Sequence, residues 1–128
     1  MRNYAVRQWL SPVAVLFLVI LAAGDNARAD FTYYVDGTNG GDENSGLSPD
    51  QSWLTITHAL GNTSGSGTSP ATIRVSSGIY SVLTNGETYP LVMNSYTRLI
   101  GEGPGRTVLD AEYDAPHLVM CTGRFPTR

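Results

Sequence analysis

Pro70-Ala71-Thr72-Ile73-Arg74-Val75-Ser76-Ser77-Gly78, Tyr96-Thr97-Arg98-Leu99-Ile100-Gly101-Glu102-Gly103 and Pro116-His117-Leu118-Val119-Met120-Cys121-Thr122-Gly123 are variants of one short pattern. Each is a short apolar strand that closes on glycine. The copies recur about 25 and then about 20 residues apart, a spacing typical of solenoids, whose repeats bury an apolar face only by stacking on a neighbour. No segment of helical period separates them, so the coils are read as all-β. The expected architecture is the start of a parallel β-helix. Ile73 and Val75 alternate inward, but matching the glycines would turn Arg98 inward too, which leaves the register open by one residue.

The N-terminus reads as an export signal over residues 1–29. Arg2 and Arg7 precede the apolar run Val13-Ala14-Val15-Leu16-Phe17-Leu18-Val19-Ile20-Leu21, and Ala27-Arg28-Ala29 supplies a small-x-small cleavage site before Asp30. The apolar run, about 11 residues, is well short of the roughly 20 that span a bilayer. Cleavage places the mature chain in the periplasm, at the cell surface or outside the cell, with no membrane association. That chain keeps five arginines against ten acidic residues, a net charge near −5, and the sequence contains no lysine. Phosphate-backbone binding needs a basic stripe, so nucleic acid is excluded as a partner. Cys121 has no second cysteine to pair with and is expected to pack as a small apolar residue in its strand.

Residues 30–62 hold a first strand, a glycine-rich loop and a helix. Phe31-Thr32-Tyr33-Tyr34-Val35 is rich in β-formers, and Asp36 to Gly46 carries four glycines among polar residues. Ser48 and Gln51 fit a capping box, with Pro49 at the first helical position and Gly61 as a stop. Ser52 and Thr55 are alternative caps. Trp53, Ile56 and Leu60 form one apolar stripe, so the helix is expected over Trp53 to Leu60, covering the open end of the first coil. Residues 63–69 read as a flexible loop, 70–123 as the first coils and 124–128 as a tail. Strands are expected at Ala71 to Val75, Ile79 to Leu83, Leu91 to Met93, Thr97 to Ile100 and Thr107 to Leu109. Asn85-Gly86 is a tight-turn signal.

Tyr33-Tyr34-Val35-Asp36-Gly37-Thr38-Asn39-Gly40-Gly41-Asp42-Glu43-Asn44-Ser45-Gly46-Leu47-Ser48-Pro49, followed by Trp53-Leu54-Thr55-Ile56-Thr57-His58-Ala59-Leu60, resembles the opening of secreted right-handed parallel β-helix proteins of the pectate-lyase-like superfamily. The likeness continues through Gly78-Ile79-Tyr80, Gly86-Glu87-Thr88-Tyr89-Pro90-Leu91 and Leu99-Ile100-Gly101-Glu102-Gly103, and is closest to an uncharacterised bacterial domain at such N-termini. It implies a right-handed coil and an extracellular polysaccharide as partner. Calcium-dependent lyases of this shape use a lysine or arginine base beside acidic calcium ligands in later coils. No lysine exists here and no arginine matches that base, so no catalytic residue is carried over.

Candidate ligand sets remain. Asp110, Glu112 and Asp114 occupy alternate positions; on a strand they would share one face suited to calcium, and in a turn after Leu109 they would be solvated. Asp36, Asp42, Glu43 and Asn44 form a second oxygen-rich group, against a purely structural loop. Arg74, Arg98 and Arg106 are candidates for bidentate contact with uronate carboxylates, or solvated strand faces. His58 is assigned to the polar side of the helix and His117 to the start of the third copy. Trp53, Tyr33, Tyr34 and Tyr89 would stack on sugars if exposed and otherwise pack in the core. Gly101-Glu102-Gly103-Pro104-Gly105 opens no helix and reads as a corner.

These observations favour a secreted, non-catalytic β-helix domain associated with polysaccharide and needing no cofactor. The alternative is the N-terminal part of a polysaccharide lyase that uses calcium and whose active-site coils lie beyond residue 128. Nothing after Gly123 resembles a closing cap, so the chain is expected to be a partial reading frame that self-associates through its open end.

Overall fold

The computed structural model describes residues 29–113 and 115–121. Residues 1–28, where the export signal is expected, Asp114 and residues 122–128 with the expected tail lie outside the described residues. Among the described residues seven strands, β1 (Phe31–Val35), β2 (Ala71–Val75), β3 (Gly78–Ser81), β4 (Leu91–Met93), β5 (Thr97–Ile100), β6 (Thr107–Asp110) and β7 (Val119–Cys121), accompany one helix, α1 (Ile56–Asn62), and a 3-10 turn at Pro49–Gln51. They form three small sheets, β1-β2-β5, β3-β6 and β4-β7, and every strand pair is parallel.

The ladders share nearly one offset. Ala71 pairs with Thr97, Gly78 with Thr107 and Leu91 with Val119, so β2, β3 and β4 are matched 26, 29 and 28 residues later by β5, β6 and β7. Parallel partners need such long returns, which a hairpin cannot supply. In β2 the β-branched Ile73 and Val75 point inward with Ala71, while Thr72 and Arg74 point out. Val35, Trp53, Ile56, Leu60, Ile73, Val75, Tyr80 and Leu91 make the core, with Tyr33 stacked on Trp53 at 5.4 Å between ring centroids.

The structure corrects the third copy. Val119–Cys121 does not continue the β2-β5 sheet but pairs with Leu91–Met93. A short apolar strand ending in glycine recurs in more than one sheet, so likeness between strands did not identify the ladder. The ladder fixes the register that the glycines left open: Ile73 faces Leu99, and Arg98 is exposed. Cys121 is also exposed rather than packed, because no described strand lies beyond β7 to cover it.

The helix begins later than its capping box suggested. Ser48 makes no side-chain cap bond, and Pro49–Gln51 is a separate 3-10 turn. Trp53 instead extends the sheet by pairing with Val35, and Gly61 lies within α1. The working cap is Thr55, whose Oγ1 accepts from His58 N–H at 3.0 Å. Asp42 supports it from the glycine-rich loop, its carboxylate accepting from Leu54 N–H, Thr55 N–H and the Thr55 hydroxyl.

The remaining donors of the first turn go to Glu87, which is 2% exposed. Its Oε1 accepts from Ile56 N–H at 2.7 Å and Asn85 Nδ2 at 3.0 Å, and its Oε2 from Thr57 N–H at 2.9 Å and the Thr57 hydroxyl at 2.7 Å. Four donors, two to each oxygen, satisfy a carboxylate that burial would otherwise penalise by several kcal/mol. This single side chain ties α1 to the Asn85-Gly86 turn.

Candidate functional site

The outer face of the β1-β2-β5 sheet carries two rows of side chains. Thr32, Thr72 and Arg98 stand side by side, and Tyr34, Arg74 and Ile100 form the next row. They face out because their neighbours Tyr33, Ile73 and Leu99 face in, the period-two consequence of a strand. Arg74 and Arg98 are exposed, and neither makes an ion pair with another described residue. Arg106 lies apart, at the start of β6.

Where the strands end, this face runs into a groove of about 260 Å³ whose lining includes Tyr34, Asp36, Ser52, Arg74, Ser76 and Glu102. Its floor is rigid. Tyr80, fully buried, accepts from Gly37 N–H at 3.1 Å and donates to the Ser76 carbonyl at 3.1 Å, tying the glycine-rich loop to the end of β2. A side chain at residue 37 would meet the Tyr80 ring at 2.9 Å, which is why the loop carries glycine there.

Asp36 closes the first turn of the loop. Its Oδ1 accepts from Thr38 N–H at 2.9 Å and Asn39 N–H at 3.0 Å, and its Oδ2 from Asn39 Nδ2 at 3.2 Å. Partial burial raises its pKa, but these bonds and one from the Ser76 side chain outweigh that and leave it below the ordinary carboxylate value. The carboxylate is thus ionised and already engaged. Asp42 serves the helix cap, and Asn44 donates to the Ser52 carbonyl at 2.9 Å. The oxygen-rich loop is therefore built around its own backbone. Glu43 is exposed.

The other candidates separate. Asp110 ends β6, and its Oδ1 accepts from Glu112 N–H at 2.9 Å in a turn, so these two carboxylates do not share a strand face. Asp114 lies outside the described residues. Among the described residues no group of three His, Cys, Asp or Glu side chains comes together to hold a metal. Trp53 is buried and donates from Nε1 to the Asn44 carbonyl at 2.7 Å, and His58 meets its ring edge-on at 5.4 Å. Tyr33 and Tyr89 pack against the core, whereas Tyr34 reaches the groove. His117 is exposed.

What the arrangement offers chemically is recognition: two guanidinium forks on one polar face, with an aromatic ring beside them. Sequence reasoning named both arginines but not their shared face, since that required the 26-residue offset between β2 and β5. It missed Glu87 and Asp42 as helix caps altogether. No curated protein and no solved structure matches this chain. A family model described as a protein of unknown function (DUF1565) matches residues 38–118, which takes in the glycine-rich loop, α1, β2 to β6 and most of the outer sheet face. The chain belongs to the DUF1565 family.

Proposed function

We propose that this chain is the N-terminal region of a secreted right-handed parallel β-helix whose outer sheet face holds extracellular acidic polysaccharide without turning it over. The near-constant offsets of the three parallel ladders support successive coils. The reading of the partner rests on one observation. In an acidic chain without lysine, Arg74 and Arg98 stand on the same sheet face with no described ion-pair partner. A guanidinium left free is available for bidentate contact with a uronate carboxylate, and Tyr34 offers a sugar ring an apolar surface.

The test is retardation of the protein in gels containing polygalacturonate or a neutral galactan, at low salt. The reading expects retardation by the acidic polymer, at least tenfold weaker in the Arg74→Ala/Arg98→Ala double variant, with no unsaturated sugar released on adding calcium. Equal retardation of parent and variant contradicts the assigned face. Unsaturated product contradicts the non-catalytic reading and favours a lyase.

A further inference from the structure

A third row follows the two on the outward face of the β1-β2-β5 sheet. Two residues past Tyr34, Arg74 and Ile100 stand Asp36, Ser76 and Glu102, and all three line the groove. Two residues of strand cover roughly 7 Å, a distance comparable to one sugar unit. Along the strands, then, the rows that carry Arg98 and Arg74 give way to a row with a carboxylate at each side. A strand added beyond β5 would pair with its edge and leave these outward side chains where they are, so the sequence of rows does not depend on where the coils stop.

The carboxylate row is rich in acceptors. Asp36 is ionised and holds its own loop, while Glu102 is exposed and its carboxylate makes no hydrogen bond to a described residue. Glu102 is nonetheless placed, because its N–H donates to the Thr107 hydroxyl at 2.9 Å and fixes the corner after β5. The Ser76 hydroxyl lies 3.2 Å from that of Tyr80, whose own proton goes to the Ser76 carbonyl, so the serine proton is used within the protein. Carboxylates accept hydrogen bonds and cannot donate them. A uronate in the groove would bring a third anion beside Asp36 and Glu102, with Arg74 the one cation among the lining residues. The hydroxyls of an uncharged sugar would instead donate to those oxygens. Resting on the assignment of this face to an acidic polysaccharide, we infer that the groove selects an uncharged sugar unit next to the uronate held by Arg74, so that the ligand mixes charged and uncharged units and is not a polyuronate.

Gel retardation at low salt with a calcium chelator, on polygalacturonate and on its partly methyl-esterified form, tests this, because the two share a backbone and differ in charge. The expected result is at least threefold stronger retardation by the partly esterified polymer, against the order of their charges. Glu102→Gln should raise retardation by polygalacturonate at least threefold and narrow the difference. Glu43→Gln, the same change of charge at an exposed position outside the groove, should leave both polymers as they were. A third gel with hyaluronan, whose uronates alternate with a neutral sugar, shows whether the uncharged unit is an esterified uronate or a different sugar. Polygalacturonate retarding as strongly as the esterified form, or more so, overturns the inference, and so does an equal response to Glu43→Gln and Glu102→Gln. Either result spares the assignment of the face if retardation still depends on Arg74 and Arg98. Loss of that dependence, or no retardation by any of the polymers, overturns both together.

Discussion

Ile73 and Leu99 are partners in one parallel ladder, both inward-facing and both aliphatic, yet Ile73 is 0% exposed and Leu99 only half-buried. The same contrast runs around the molecule. Tyr80 is fully buried and its partner Leu109 is not; Leu91 is 1% exposed and its partner Val119 42%. Sequence character does not separate the members of these pairs. What separates them is whether another described layer lies beyond. In stacked parallel strands the burial of an inward side chain is supplied by the next layer as much as by its own.

The sharpest way to break this comparison is to truncate both members of a pair. Ile73→Ala is expected to cost about 4 kcal/mol, the transfer and cavity loss of a fully buried aliphatic group, and Leu99→Ala about 1 kcal/mol, since Leu99 is only half-buried. Urea denaturation measures both. Equal losses would mean that layer position does not govern burial.

A second comparison sets two carboxylates against each other. Glu87→Ala leaves the Ile56 and Thr57 N–H groups without their acceptor and the Asn85 amide with only its bond to the Leu54 carbonyl, and is expected to cost about 3 kcal/mol. Glu102→Ala, exposed at the corner after β5, should stay within about 0.5 kcal/mol. The same denaturation series reads both. A mild Glu87 variant would show that α1 is held by its apolar stripe alone.

Most strands were readable from sequence because alternation and terminal glycines suffice for them, as β2 and β5 demonstrate. The helix start was not. Ser48 to Gln51 has the local form of a cap, but Trp53 is drawn into the sheet by Val35, and the chain cannot become helical until Thr55. Glu87 reaches α1 from 31 positions away and Asp42 reaches Thr55 from 13, so no local pattern announces either. The sheet to which β7 belongs was hidden for a related reason: a three-residue apolar strand fits any of the ladders. The shared face of Arg74 and Arg98 followed only once the offset was known.

The smallest effect concerns the alkaline limit of the closed region. The Tyr89 hydroxyl, which donates to the Tyr80 carbonyl, is pushed up to about 12, first by burial and then by the nearby charge of Glu87. The neutral form is the one favoured by folding, so its contribution is full below the ordinary value of 10 and is lost as pH rises through about 12. Tyr80 shifts the same way, with burial again the first cause. Tyr89→Phe should therefore flatten, without abolishing, the fall in denaturation midpoint across that window. An unchanged slope would contradict the assignment.

One described layer is closed and the next is open, and amide hydrogen exchange on this chain reads the difference directly. The amides of Ile73–Val75 should exchange slowest and those of Val119–Cys121 fastest among the described strands. If β7 is as well protected as β2, burial does not follow layer position.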